Sequence, residues 1–109
     1  MKFTQSLKKN SEFLEVYKRG ESFANKYLVM YILKNNSLKN RLGISISKKV
    51  GNSVKRHRLR RLIKENYRMS EENYQKGLDI VVVTRVSSRD IGYKEIGSAL
   101  EHLRKLHKL

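Results

Sequence analysis

Apolar residues recur along the chain at helical and at alternating spacings, and each spacing predicts an element. Phe13, Leu14 and Tyr17 fall on one helical face, with Asn10 or Ser11 where a cap belongs and Gly20 just past the end. This predicts a short first helix. Residues 27–33 are rich in aromatic and branched side chains and read as a strand. Its Leu28, Met30 and Ile32 point to a core, while Tyr27, Val29 and Tyr31 share the other face. The polar stretch 34–41 reads as the loop of a hairpin. In residues 42–47, Leu42, Ile44 and Ile46 alternate with Gly43, Ser45 and Ser47, the pattern of a strand with one buried face. A helix capped by Asn52 or Ser53 follows, with Leu59, Leu62, Ile63 and Asn66 on its inner stripe. After the polar connection "MSEENYQKG", residues 78–84 are apolar on both faces, as in an interior strand. A last helix over 93–107 buries Ile96, Ala99, Leu100, Leu103 and His107. The expected architecture is α+β: helix, two or three strands, helix, strand, helix, forming an α/β sandwich around one small mixed sheet. A chain of 109 residues without repeats, linkers or proline makes a single domain, 1–109.

Charge changes this picture. Lys and Arg number 25 against 10 acidic residues, a formal charge of +15. So large an excess of one sign repels itself and points to a polyanionic partner. The apolar runs "YLVMYIL" and "DIVVVT" are far below the roughly 20 residues that span a bilayer, so no membrane partner is expected. The start of the chain has neither a secretory apolar region nor an arginine-rich transit pattern. The absence of cysteine accords with a reducing cytoplasm. Nucleic acid is the expected partner.

The charge concentrates in "KKVGNSVKRHRLRRLIKE", residues 48–65, where eight of the seventeen residues from 48 to 64 are basic and none is acidic. At 100° per residue, His57, Arg60, Arg61, Lys64 and Arg68 form a stripe opposite the apolar one, with Arg56 and Arg58 flanking it and Glu65 near its edge. A merely solvated basic face normally carries interleaved glutamates, mostly missing here. Arginine suits phosphate oxygens because its planar fork donates two bonds at once. No helix-turn-helix or dimer pattern accompanies this helix, and exposed aromatic candidates lie nearby, which favours RNA over DNA. Those aromatics are Phe13, Tyr17, Tyr27 and Tyr31. Facing outward beside Ser45 and Ser47, they would make a trough on which unpaired bases stack; facing inward, they fill the space between the first helix and the sheet.

"SKKVGNSVKRHRLRRLIKE" resembles the signature of the protein subunit of bacterial ribonuclease P, which usually reads Arg-Asn-Arg where this chain has Arg56-His57-Arg58. The order of "LKKNSEFLEVYKRGESFANKYLVMY", "GISISKKVGNSV" and "DIVVVTR" extends the resemblance over nearly the whole chain. It implies a ribonucleoprotein whose catalytic RNA removes the 5′ leader of precursor transfer RNA endonucleolytically. The protein would be the accessory subunit, inactive alone, and magnesium would be held mainly by RNA. The residues facing the catalytic RNA would be Lys48, Lys49, Asn52, Arg56, Arg58, Arg60, Arg61 and Lys64, to which the charge stripe itself adds His57 and Arg68. Those receiving the leader in a central cleft would be Phe13, Tyr17 and Tyr31. The resemblance also implies a left-handed crossover between the parallel strands flanking the basic helix, against the usual hand.

A protein-based nuclease is the rival reading, with His57 as acid or base. No second acid–base group lies at helical spacing from it. His102 and His107 are five residues apart, a poor zinc pair, and the adjacent Glu71 and Glu72 diverge, so no protein-held metal is expected. A ribosomal-type RNA-binding protein is the other alternative.

Overall fold

Residue 40 shows how the hairpin closes. In the computed structural model, which describes residues 1–109, the strand expected over 42–47 runs instead over Asn40–Ser45. Asn40 looks like a loop residue but is fully buried. Its amide donates to the Tyr67 hydroxyl (3.3 Å) and the Gln75 carbonyl (2.9 Å) and accepts from the Leu78 N–H (2.9 Å). With these side-chain atoms partnered, the hydrogen bonds offset the cost of desolvating the amide.

Five strands and three helices follow one another as β1 (Thr4–Ser6), α1 (Asn10–Arg19), β2 (Glu21–Ala24), β3 (Leu28–Lys34), β4 (Asn40–Ser45), α2 (Ser53–Ser70), β5 (Leu78–Thr84) and α3 (Tyr93–Leu106). The sheet is mixed, in the order β1-β4-β5-β3-β2, confirming the α+β architecture. β4 and β5, joined through α2, are parallel neighbours, registered from Arg41 opposite Asp79 to Ser45 opposite Val83. β3 lies antiparallel to β5 and β2 antiparallel to β3. β1, which the sequence pattern does not announce, pairs in parallel with β4 at the other edge. No helix is long and apolar enough to cross a membrane.

The central position of β5 explains its unbroken apolar run. Ile80 and Val82 join the larger core with Leu28, Met30, Leu42 and Ile44, under Leu59, Ile63 and Tyr67 of α2 and Ile96, Leu100 and Leu103 of α3. Val81 and Val83 face the other way, into a smaller cluster with Leu7 and Val16 that α1 covers. Two helices thus lie on one face and α1 on the other. Along α2 the deepest residues are Leu59, Ile63 and Tyr67, whereas Leu62 and Asn66 are only half-buried. The helix is rotated so that Tyr67 enters the core.

The expected N-cap of α1 differs, while Gly20 lies just past its end as expected. Neither Asn10 nor Ser11 caps α1; Glu12 instead accepts the free N–H groups of Lys9 (3.0 Å) and Lys8 (3.3 Å). Gly20 ends that helix in extended conformation, φ −79°. A Cβ there would fall 2.6 Å from the Val16 carbonyl oxygen and 2.9 Å from that of Ile32, so the position is set by close approach of β3.

Candidate nucleic-acid interface

The basic segment begins on a short 3₁₀ turn, Lys48–Val50, where the Ser47 hydroxyl accepts the Lys49 N–H at 3.1 Å. Lys48 and Lys49 are both exposed. Asn52 then caps α2, its side-chain oxygen accepting from the Lys55 N–H at 3.0 Å. That contact commits the oxygen to the cap and leaves the amide N–H₂ to meet a ligand. Beyond the cap, His57, Arg61, Lys64 and Arg68 lie exposed along the outer crest.

Three arginines leave that crest and run down the flanks. Arg56 donates to the Gly51 carbonyl (3.2 Å), Arg58 to that of Ile91 (3.1 Å) and Arg60 to that of Ile44 (3.0 Å). Each half-buried stem is thereby held while the guanidinium keeps its charge and its remaining donors, so less rotamer freedom is lost when a phosphate binds. Arg68 differs, since its guanidinium is chelated by Glu65. Their mutual hydrogen bonds raise the arginine's pKa and lower the carboxyl's. The expected row of cations is therefore a broad saddle, with Arg68 neutralised at its far end.

Most carboxylates elsewhere are engaged with cations outside this set. Asp79 and Glu12 hold Arg41, Asp90 holds Lys55 and Arg89, Glu72 holds Lys2, and Glu15 and Glu101 pair within their own helices. Lys48, Lys49, Arg56, Arg58, Arg60, Arg61 and Lys64 form no ion pair; seven adjacent cations are left uncompensated.

On the opposite face of the sheet, α1 lays Phe13 against the backbone of β4. A Cβ at Gly43 would sit 2.7 Å from the Phe13 ring, so this close approach requires glycine. Phe13 and Tyr17 have ring centroids 6.4 Å apart, and Tyr17 meets Tyr31 edge-on at 4.9 Å. An open groove of about 510 Å³ runs beside them, bounded by Asn10, Phe13, Leu14 and Tyr17 of α1, by residues 44–46, and by Arg60. Phe13 and Tyr17 wall the groove and Tyr31 buttresses Tyr17 from behind. Tyr27, expected on the same face as Tyr31, packs against the larger core instead. It lies one residue before β3, in a turn where Asn25 accepts the N–H groups of both Tyr27 and Leu28, so strand alternation does not extend back to it.

Arg60 stands at the junction of saddle and groove. A second and larger groove, about 770 Å³, opens at the ends of β4 and β5 and carries Lys26, Lys49 and Arg85 on its walls. Lys26 and Arg85 come from distant parts of the chain and have no helical periodicity to reveal them. The only hint is the basic residue directly after the β5 run. His57 has no second acid–base group from another element beside it. No three His, Asp or Glu side chains come together in a way that could hold a metal ion.

Both the sequence and the fold have close relatives. The Ribonuclease P family model matches residues 1–108. The chain belongs to the ribonuclease P protein family. The ribonuclease P protein component of Lachnoclostridium phytofermentans is 59% identical over 106 residues, covering 97% of this chain and 91% of that protein. That of Clostridioides difficile is 55% identical over 103 residues, covering 94% and 90%. The solved RNase P protein of Staphylococcus aureus superposes with TM-score 0.86 at 38% identity, covering 94% of both chains. That of Thermotoga maritima gives 0.84 at 31%, covering 94% of this chain and 96% of that one. Members of the ribonuclease P protein family are components of an endoribonuclease ribonucleoprotein that acts in tRNA processing, so the partner of this chain is RNA.

Proposed function

We propose that this chain is the accessory subunit with which a catalytic RNA removes the 5′ leader from precursor transfer RNA. Lys48, Lys49, Asn52, Arg56, His57, Arg58, Arg60, Arg61 and Lys64 face the catalytic RNA, with Arg68 at the margin. Phe13 and Tyr17, braced by Tyr31, receive unpaired leader bases. The observation that carries this reading is the meeting of seven uncompensated cations with an aromatic groove at Arg60. A phosphate backbone on the saddle and stacked bases in the groove would engage both at once.

The protein's share of the mechanism is electrostatic and positional. Cations on the saddle reduce repulsion between two RNAs, and the groove holds the leader so that the scissile bond spends more time aligned. Magnesium would be held by RNA and water, since the chain's carboxylates form no cluster of three that could serve as ligands. The bond-breaking chemistry belongs to the RNA, and the isolated protein is inactive. A cytoplasmic setting accords with work on transfer RNA.

The test is cleavage of precursor transfer RNA at low magnesium by protein alone, catalytic RNA alone, and both together. Efficient cleavage is expected only in the mixture. Cleavage by the protein alone would establish a protein nuclease, and a mixture no better than the RNA would leave a ribosomal-type RNA-binding protein.

A further inference from the structure

We propose that His57, Arg58 and Arg61 together clamp one RNA phosphate and that His57 takes up a proton when it binds. This rests on the reading of α2 as the RNA-facing surface and adds the charge state of one contact within it.

Ser53, Val54, His57, Arg58 and Arg61 line a shallow basin of about 360 Å³ on the outer side of α2. Every lining residue comes from that helix, so the imidazole meets solvent on its free side, and it forms no hydrogen bond within the protein. Arg58 is held from below by the Ile91 carbonyl, and Arg61 is exposed and unpaired. The basin therefore presents two fixed charges and one ionisable ring around a space open to a phosphate oxygen.

The charged groups around the ring are cations. Arg58 and Arg61 flank the ring, and Arg60 and Lys64 follow at the next helical steps. No carboxylate is free to serve as its partner: Asp90, on the connection before α3, is shared by Lys55 and Arg89, and Glu65 is chelated by Arg68. A bound phosphodiester brings a negative charge to the ring, and an opposite charge within about 4–6 Å favours the protonated form. Histidine is the side chain whose ordinary titration falls between pH 5 and 8, so the change occurs where it can matter. The sign follows: the bound state holds more protons than the free state, so affinity rises as pH falls.

The other two histidines are engaged differently. The Asn25 side-chain oxygen accepts the N–H groups of Tyr27 and Leu28, which turns its amide toward Nδ1 of His102 at 3.2 Å. His107 donates from Nε2 to the Met30 carbonyl at 2.9 Å. Neither lies on α2.

The experiment measures affinity for a ribonuclease P RNA transcript at about pH 6 and about pH 8, at one fixed salt concentration. It compares the wild-type chain with His57→Asn and His102→Asn. Wild type and His102→Asn are expected to bind about fivefold more tightly at the lower pH, and His57→Asn about equally at both. Because His57 is exposed, the variant keeps its fold, checked by circular dichroism. Equal affinity of the wild type at both pH values, or an unchanged pH dependence in His57→Asn, overturns proton uptake. Absence of salt-sensitive binding at either pH instead overturns the RNA-binding role of α2.

Discussion

Tyr17 and Tyr31 touch each other yet hold different positions, which lets a single substitution separate stacking from packing. Tyr17 walls the groove; Tyr31 meets its edge from the sheet. Tyr17→Ala is expected to weaken binding of leader-bearing precursor about tenfold, within the range of one lost base stack, while leaving mature transfer RNA unaffected. Competition binding with the assembled ribonucleoprotein measures both; equal losses would make the ring a packing element only. Single residues were also where the sequence was least legible. Asn40 reads as loop because polarity predicts exposure, but its burial depends on partners at Tyr67, Gln75 and Leu78, remote in sequence. Tyr67 was missed for the same reason, since its hydroxyl is satisfied inside by Thr4 and Asn40. Tyr27 failed in the opposite way, because an Asn25 turn interrupts the alternation on which its placement depended.

Elements with a strong period were read correctly and those without one were not. The three helices, β3 and β5 carry repeating apolar positions that local physics converts into a buried face. β1 and β2 are short edge strands, mostly exposed, and their existence depends on what they pair with. β1 is fastened by a buried carboxylate at the far end of α2. Glu71 accepts the N–H groups of Lys2 (2.8 Å) and Phe3 (3.2 Å) and the Thr4 hydroxyl (2.5 Å). Thr4 in turn contacts the Tyr67 hydroxyl at 2.8 Å. Burial alone would push the Glu71 carboxyl up, but these donors outweigh it and hold its pKa below the ordinary 4.5. A carboxyl lowered on folding contributes stability that is present above its unfolded value and lost as pH falls through the folded one. Glu71→Gln is therefore expected to cost about 2 kcal/mol near neutral pH, in the range for hydrogen bonds to a charged group. The difference from wild type should shrink once the pH drops well below 4.5. Urea midpoints at about pH 7 and about pH 3 measure both; a pH-independent difference would mean that Glu71 acts through packing alone.

Across the whole molecule, the placement of negative charge leaves α2 as the uncompensated basic surface. Of the ten acidic residues, seven are in ion pairs, Glu71 is in the β1 clamp, Glu95 caps α3 by accepting the Gly92 N–H, and Glu21 is exposed on the edge strand β2. The surplus of cations seen in composition is thus a localised field, strongest where α2 has no carboxylate until Glu65. That much of the site was legible, because charge pattern and helical period coincide on α2. The division of labour within it was not, because it depends on carbonyls at Gly51, Ile44 and Ile91 that come close only in the folded chain. The crest pair Arg61 and Lys64 have no such tether and no carboxylate, so each should act as a phosphate contact that displaces counterions. Removing both as Arg61→Ala with Lys64→Ala is expected to lower the slope of log affinity against log salt by about two units in total. Affinity for the catalytic RNA should fall most at low salt, with thermal stability unchanged. The flanking Arg60→Ala should differ: its guanidinium borders the aromatic groove, so both catalytic-RNA affinity and discrimination for the leader should weaken. Filter binding over a salt series separates the two patterns. If the double variant kept the wild-type slope, the crest would not touch phosphate, and RNA would have to dock on the second groove, among Lys26, Lys49 and Arg85.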